Sequence, residues 1–226
     1  MQCRTWLTAA LARRHSLRWQ TILALAGARR VLPGGVGLSF DDGPHPTWTP
    51  QVLDVLADLD VQATFFCVGR NAVAQPQLVR RIVADGHALG SHSMTHPYPD
   101  RLTTKALRRD YANGRNAVEQ AAQQSVVLFR PPHGHIGVRS ALVMRRARLS
   151  PWLWSVDPED WKGNRDSTTI STVACRANAG DVVLLHDWVE QPESERALDR
   201  SATVRAVPEV AAALRLRGLE FRVLPE

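Results

Sequence analysis

Two short segments of the chain carry the residue types of a metal-dependent reaction. Residues 39–44 read Ser-Phe-Asp-Asp-Gly-Pro, and residues 91–97 read Ser-His-Ser-Met-Thr-His-Pro. One carboxylate and two imidazoles make a three-ligand set that leaves room for water, and a second carboxylate stands beside it as a base. Each half alone is ambiguous. Adjacent acids before Gly-Pro commonly cap a turn. Two histidines four residues apart, His92 and His96, share a helical face, which suits one metal but also describes an ordinary surface pair. One Asp with two His is also the ligand set of non-haem iron oxygenases, so these residues do not fix the reaction.

Further polar residues follow the apolar runs downstream. Arg130 opens Arg-Pro-Pro-His-Gly, Asp157-Pro-Glu-Asp-Trp brings Asp160 and Trp161, and His186 closes the run Val182-Val183-Leu184-Leu185. An arginine at a strand end can hold a carboxylate through paired hydrogen bonds. A histidine there faces the rim, and an acid beside it favours its charged form. A base and an acid on either side of a metal are what amide hydrolysis requires, whereas an oxygenase has no evident use for both.

These residues need elements to position them. Apolar runs suggest strands at residues 35–40, 61–68, 87–92, 126–130, 152–156, 182–186 and 219–224. Amphipathic stretches between them suggest helices at 49–59, 77–84, 103–123, 138–148, 168–177 and 204–217. Alternating strands and helices predict an α/β fold with a parallel sheet covered on both faces. The polar residues sit at five strand ends, and closing the sheet brings those ends to one rim. The expectation is therefore a distorted seven-stranded parallel (β/α) barrel in a single domain, residues 35–226, preceded by a basic arm at 1–34. Residues 187–200 read as a long loop.

The net charge is +6, but Arg4, Arg13, Arg14, Arg18, Arg29 and Arg30 all precede the first acid, Asp41, and the other Lys and Arg balance the 22 Asp and Glu. A neutral body argues against nucleic-acid binding, which takes many cations on one face. The arm's apolar run at 21–28 is too short to span a membrane and lacks the compact charged start of an export signal. A cytoplasmic or membrane-peripheral location is expected over an exported one, with the arm as the element for any peripheral membrane contact. Cys3, Cys67 and Cys175 are odd in number and widely spaced, which argues against a disulfide framework. Cys67 reads as a buried core residue.

In order and spacing, residues 39–46, 92–96, 130–134, 157–161 and 184–186 resemble the five motifs of the polysaccharide deacetylases of the NodB-homology type, carbohydrate esterase family four. The likeness covers roughly residues 35–226. It implies that Asp42, His92 and His96 bind a divalent metal, usually zinc, that Asp41 is the base, and that Arg130 orients Asp41. It further implies that His186 is the acid with Asp160 tuning it, that Leu184 and Trp161 line the pocket for the acetyl methyl, and that the partner is an N-acetylated carbohydrate. In the family an aromatic residue follows the two prolines of the third motif, and its backbone N–H helps hold the oxyanion. His133 stands there in this chain, which preserves the backbone donor and alters the local shape. The rivals are a relative that opens another amide or a formyl group, and a sugar-binding protein with a non-catalytic site. Trp152 and Trp154 read as core residues rather than sugar platforms.

Overall fold

The computed structural model describes residues 17–226. The start of the arm, with Cys3, Arg4, Arg13 and Arg14, lies outside the described residues. The remainder of the arm begins with α1, helical over residues 17–26. Its Ile22, Leu23, Leu25 and Ala26 pack into a cluster with Tyr111, Phe129 and Met144, and Arg29 just beyond it bridges in parallel to Trp152.

The chain then alternates strand and helix: β1 (Gly37–Asp41), α2 (Trp48–Asp58), β2 (Thr64–Cys67), α3 (Gly69–Ala74), α4 (Pro76–Ala84), β3 (Ala88–Ser91), α5 (Thr104–Ala122), β4 (Leu128–Phe129), α6 (Val138–Arg146), β5 (Ser150–Pro151), α7 (Ser167–Ala174), β6 (Val182–His186) and α8 (Ser201–Leu216). The strands form one parallel sheet in the order β5-β4-β3-β2-β1-β6. Just past β5, Val156 bridges to Val183 of β6, so the two ends of the curled sheet meet at one point.

The sheet has six strands where the sequence predicts seven. The last candidate, 219–224, makes a single bridge from Phe221 to Val36. The reason lies in β1: β6 occupies one edge from Gly37 and β2 the other from Ser39, so only the short stretch of edge before Ser39 is open to a further partner. The fifth candidate, 152–156, is likewise reduced: the ladder to β4 ends at Pro151, and Trp152 and Val156 make isolated bridges to other elements.

Side chains on a strand alternate between its two faces, and here the two faces have different neighbours. Val36, Leu38 and Phe40 of the β1 region, Phe65 and Cys67 of β2, and Val183 and Leu185 of β6 point outward into a core shared with α2 and α8. Burial of each large side chain in that core contributes about 1.5–3 kcal/mol. The opposite parity points inward, where Phe66, Leu128, Trp152, Val182 and Leu224 fill the lower half of the curled sheet. Gly90 leaves room for this packing, since a Cβ there would lie 2.5 Å from the Phe66 ring. Continued upward, the inward parity reaches Ser39 and Asp41 on β1, His92 after β3, Arg130 after β4, and Leu184 and His186 on β6. The fold thus sorts apolar inward positions to the bottom and polar ones to the rim.

Candidate active site

At the rim lies a cavity of about 370 Å³ lined by Asp41, Asp42, His92, His96, His133, Trp161, Leu184 and His186, among others. All of these are residues singled out from the sequence. Arg130 and Asp160, the two remaining ones, lie just behind its wall.

Arg130 is fully buried. Its Nη1 donates to Asp41 Oδ1 at 2.7 Å and to Ser39 Oγ at 2.8 Å, and its Nε donates to the Trp152 carbonyl at 3.1 Å. The guanidinium carbon also sits 4.1 Å from the Phe66 ring centroid. The grip on Asp41 is through one nitrogen rather than the paired bonds expected from the sequence, because the other nitrogens are engaged by the Trp152 and Leu153 carbonyls just past β5. Desolvation pulls the guanidinium pKa down and the charge of Asp41 opposes it.

Asp42 adopts a left-handed backbone, φ 75°, which turns its side chain away from the path of β1. Its Oδ1 lies 3.4 Å from Nε2 of His92 and 3.4 Å from Nε2 of His96, and one donor atom from each of the three residues falls within 4.8 Å of the others. Ligands about 2.0–2.1 Å from a tetrahedral zinc are separated from one another by about 3.4 Å, so the set fits such an ion. Two buried atoms of the set, Asp42 Oδ1 and His96 Nδ1, have no hydrogen-bond partner among the described residues. For Oδ1 in particular a cation would satisfy an otherwise costly orphan.

His92 Nδ1 lies 2.7 Å from the Arg130 carbonyl. A carbonyl only accepts, so Nδ1 carries the proton and Nε2 keeps its lone pair for a metal. His96 is pushed down to about 3, burial outweighing the attraction of Asp42, so its ring is neutral at ordinary pH. For Asp42 burial works against the charge, but His96 and His92 outweigh it and hold the carboxyl at about 2. Asp42 and His96 are thus in their ligating protonation states.

His92 and His96 do not use the helical face that their spacing would allow. They lie on the loop after β3, and Ser93 (φ 67°) and His96 (φ 54°) take left-handed conformations that bend it back. The bend is held by Ser93 Oγ, which accepts from the His96 N–H at 3.0 Å, and by Asp110 of α5, which accepts from the Met94 N–H and Thr95 hydroxyl. The Pro97 that follows also disfavours helix for His96.

On the opposite wall, His186 is register partner to Asp41 across β1 and β6. Its Nδ1 pairs with Asp160 Oδ1 at 2.7 Å, and its backbone N–H donates to Asp160 Oδ2 at 2.9 Å. Thr203 Oγ also donates to Oδ2 at 2.8 Å. Burial acts to lower the His186 pKa, yet the Asp160 charge and hydrogen bond outweigh it and raise it to about 9. His186 therefore carries a proton at neutral pH, with Nε2 left for the cavity.

The sequence reading missed several contributors. Tyr98 stacks on His133, centroids 3.7 Å apart, and His133 in turn leans on His96 at 4.4 Å. Trp154, read as core, lines the cavity, while Trp152 is core as expected. Glu190 and Gln191, from the stretch read as plain loop, also reach the wall. None of these carried a motif, and their roles arise from contacts across long sequence separations.

A sequence model of the polysaccharide deacetylase family matches residues 29–152. Among curated relatives, a peptidoglycan-N-acetylglucosamine deacetylase of Bacillus cereus is 34% identical over 84% of this chain and 86% of its own. A chitooligosaccharide deacetylase of Sinorhizobium fredii is 38% identical over 84% and 90% respectively. Among solved structures, a family 4 carbohydrate esterase from Streptomyces lividans in complex with acetate is 31% identical, with a TM-score of 0.73 over 85% of this chain and 92% of that one. A family match that takes in Asp41, Asp42, His92, His96 and Arg130, joined by relatives aligned over most of the chain, makes this protein a hydrolase of the polysaccharide deacetylase family.

Proposed function

We propose that the protein removes the N-acetyl group from an amino sugar in a polymer, oligosaccharide or lipid-linked sugar, releasing acetate, with zinc held by Asp42, His92 and His96. The observation that carries this reading is the register of β1 against β6. It sets Asp41 beside His186, so that a proton acceptor and a proton donor flank one cluster of three ligand atoms. The relatives named above act on chitooligosaccharide and on peptidoglycan N-acetylglucosamine, and the 2-acetamido sugar is common to both.

When bound, the cation supplies Lewis-acid polarisation of the acetyl carbonyl and makes water acidic enough to lose a proton near neutral pH. Asp41, steadied by Arg130, takes that proton as water adds to the carbonyl carbon. The backbone N–H of His133 faces the charge that develops on the carbonyl oxygen. His186 then gives its Nε2 proton to the nitrogen as the C–N bond breaks, and Asp160 stabilises the imidazolium until that moment. Leu184 and Trp161 flank the methyl group.

The test is acetate release from chitin oligomers, peptidoglycan fragments and acetylated xylan, before and after chelation and zinc replacement. Zinc-dependent release from an N-acetylated substrate is expected. Release from the xylan ester alone would overturn the assignment to amides.

A further inference from the structure

The carboxylate of Asp42 presents Oδ1 to both imidazoles while its Oδ2 is held by the backbone of a distant loop. The Glu190 N–H donates to Asp42 Oδ2 at 2.7 Å. Glu190 is in turn pinned by its side chain. Arg70 pairs with it through both Nε and Nη2, and Asn71 Nδ2 donates to Glu190 Oε1 at 2.8 Å. The same Asn71 amide donates to the Asp42 carbonyl at 2.8 Å. The Glu190 side chain is 4% exposed, whereas that of Arg70 is 48% exposed. A buried carboxylate held on two sides is a rigid fixture, not a solvated surface charge. The next residue, Gln191, has a left-handed backbone, φ 53°, and its Nε2 donates to the His96 carbonyl at 3.0 Å. Two consecutive residues after β6 thus touch both ligand-bearing segments, and α3 anchors them.

We propose that Arg70, Asn71 and Glu190 form a clamp of positioning residues that fixes the Asp42 carboxylate for metal binding. This rests on the assignment of Asp42 as a ligand. The clamp acts by removing a rotation. Without it the 187–193 loop relaxes, Oδ2 loses its donor, and the carboxylate turns away from the two imidazole nitrogens. Partners behind metal ligands commonly set affinity by about 10–100-fold.

The experiment measures zinc affinity by competition with a chromogenic chelator, together with kcat and KM at saturating zinc and the unfolding midpoint of the zinc-free protein. The variants are Arg70→Met, Arg70→Lys, Glu190→Ala and Asp42→Ala. Because Arg70 is half exposed, Arg70→Met removes the charge with little disturbance of the core. The expected result is zinc binding weakened about 10–100-fold in Arg70→Met and Glu190→Ala and partly restored in Arg70→Lys, with kcat largely recovered at saturating zinc. Unchanged zinc affinity in Arg70→Met with a raised KM overturns the clamp, because the loop then only shapes the pocket. A lowered unfolding midpoint with unchanged affinity overturns it as well. Zinc binding by Asp42→Ala equal to that of the unaltered chain instead overturns the ligand assignment beneath it.

Discussion

Changing Asp160 to Asn removes the charge that keeps His186 protonated while leaving an oxygen to accept from Nδ1. The rise in the His186 pKa from 6.5 to about 9 corresponds to about 3 kcal/mol of preference for the charged ring. With the carboxylate gone, burial is opposed only by the charges of Asp42 and Asp41, and the pKa falls back toward its ordinary value. At pH 8 the unaltered acid is largely protonated, whereas a ring returned fully to 6.5 is about 3% protonated, so kcat/KM drops by up to about 30-fold. The deficit shrinks toward pH 6. The same shift governs stability. A base whose pKa is raised on folding stabilises the native state fully below its unfolded value, near 6.5, and loses that contribution as pH climbs through 9. The unaltered chain therefore loses up to about 3 kcal/mol across that window, and Asp160→Asn shows a flatter dependence. The assay is the pH profile of kcat/KM on an N-acetylated oligosaccharide, with thermal unfolding from pH 6 to 10. An alkaline limb that stays in place, or a loss of rate of equal size at every pH, would refute the role given to the pair.

Asp41→Asn is expected to retain zinc and lose turnover, whereas Asp42→Ala loses both; equal metal content in the two variants, measured by atomic emission, contradicts the division of labour. Arg130→Met leaves the Asp41 carboxylate buried without its cation, a loss of about 3–5 kcal/mol. Calorimetry is expected to show an unfolding midpoint lower by on the order of 10 °C. Chelation is expected to abolish acetate release and zinc to restore it, while the far-ultraviolet circular dichroism stays unchanged because the sheet does not depend on the site; lost helicity would contradict this.

The sequence was most legible where local chemistry and strand parity agree. Asp41, His92, Arg130 and His186 each close an apolar run, and a parallel sheet turns such ends to one rim whichever helices surround it. Strand number was less legible, since residues 219–224 have the composition of a strand but only the short edge before Ser39 to pair with. The His92 to His96 spacing was ambiguous because periodicity is blind to left-handed turns at Ser93 and His96. The short α3 carries Arg70 and Asn71, whose partner Glu190 lies about 120 residues away in sequence. No periodicity or motif encodes a contact of that range. His133 was visible as a departure from the family's aromatic, but its stacking between Tyr98 and His96 required the fold.

The buried guanidinium at Arg130 ties catalysis to the integrity of the chain. It bonds at once to the base, to β1 and to the backbone beyond β5, so replacing Asp41 with an apolar residue strands a cation in a dry interior. An apolar drift at that position therefore costs the fold as well as the reaction, so selection for a folded molecule acts against it independently of catalysis.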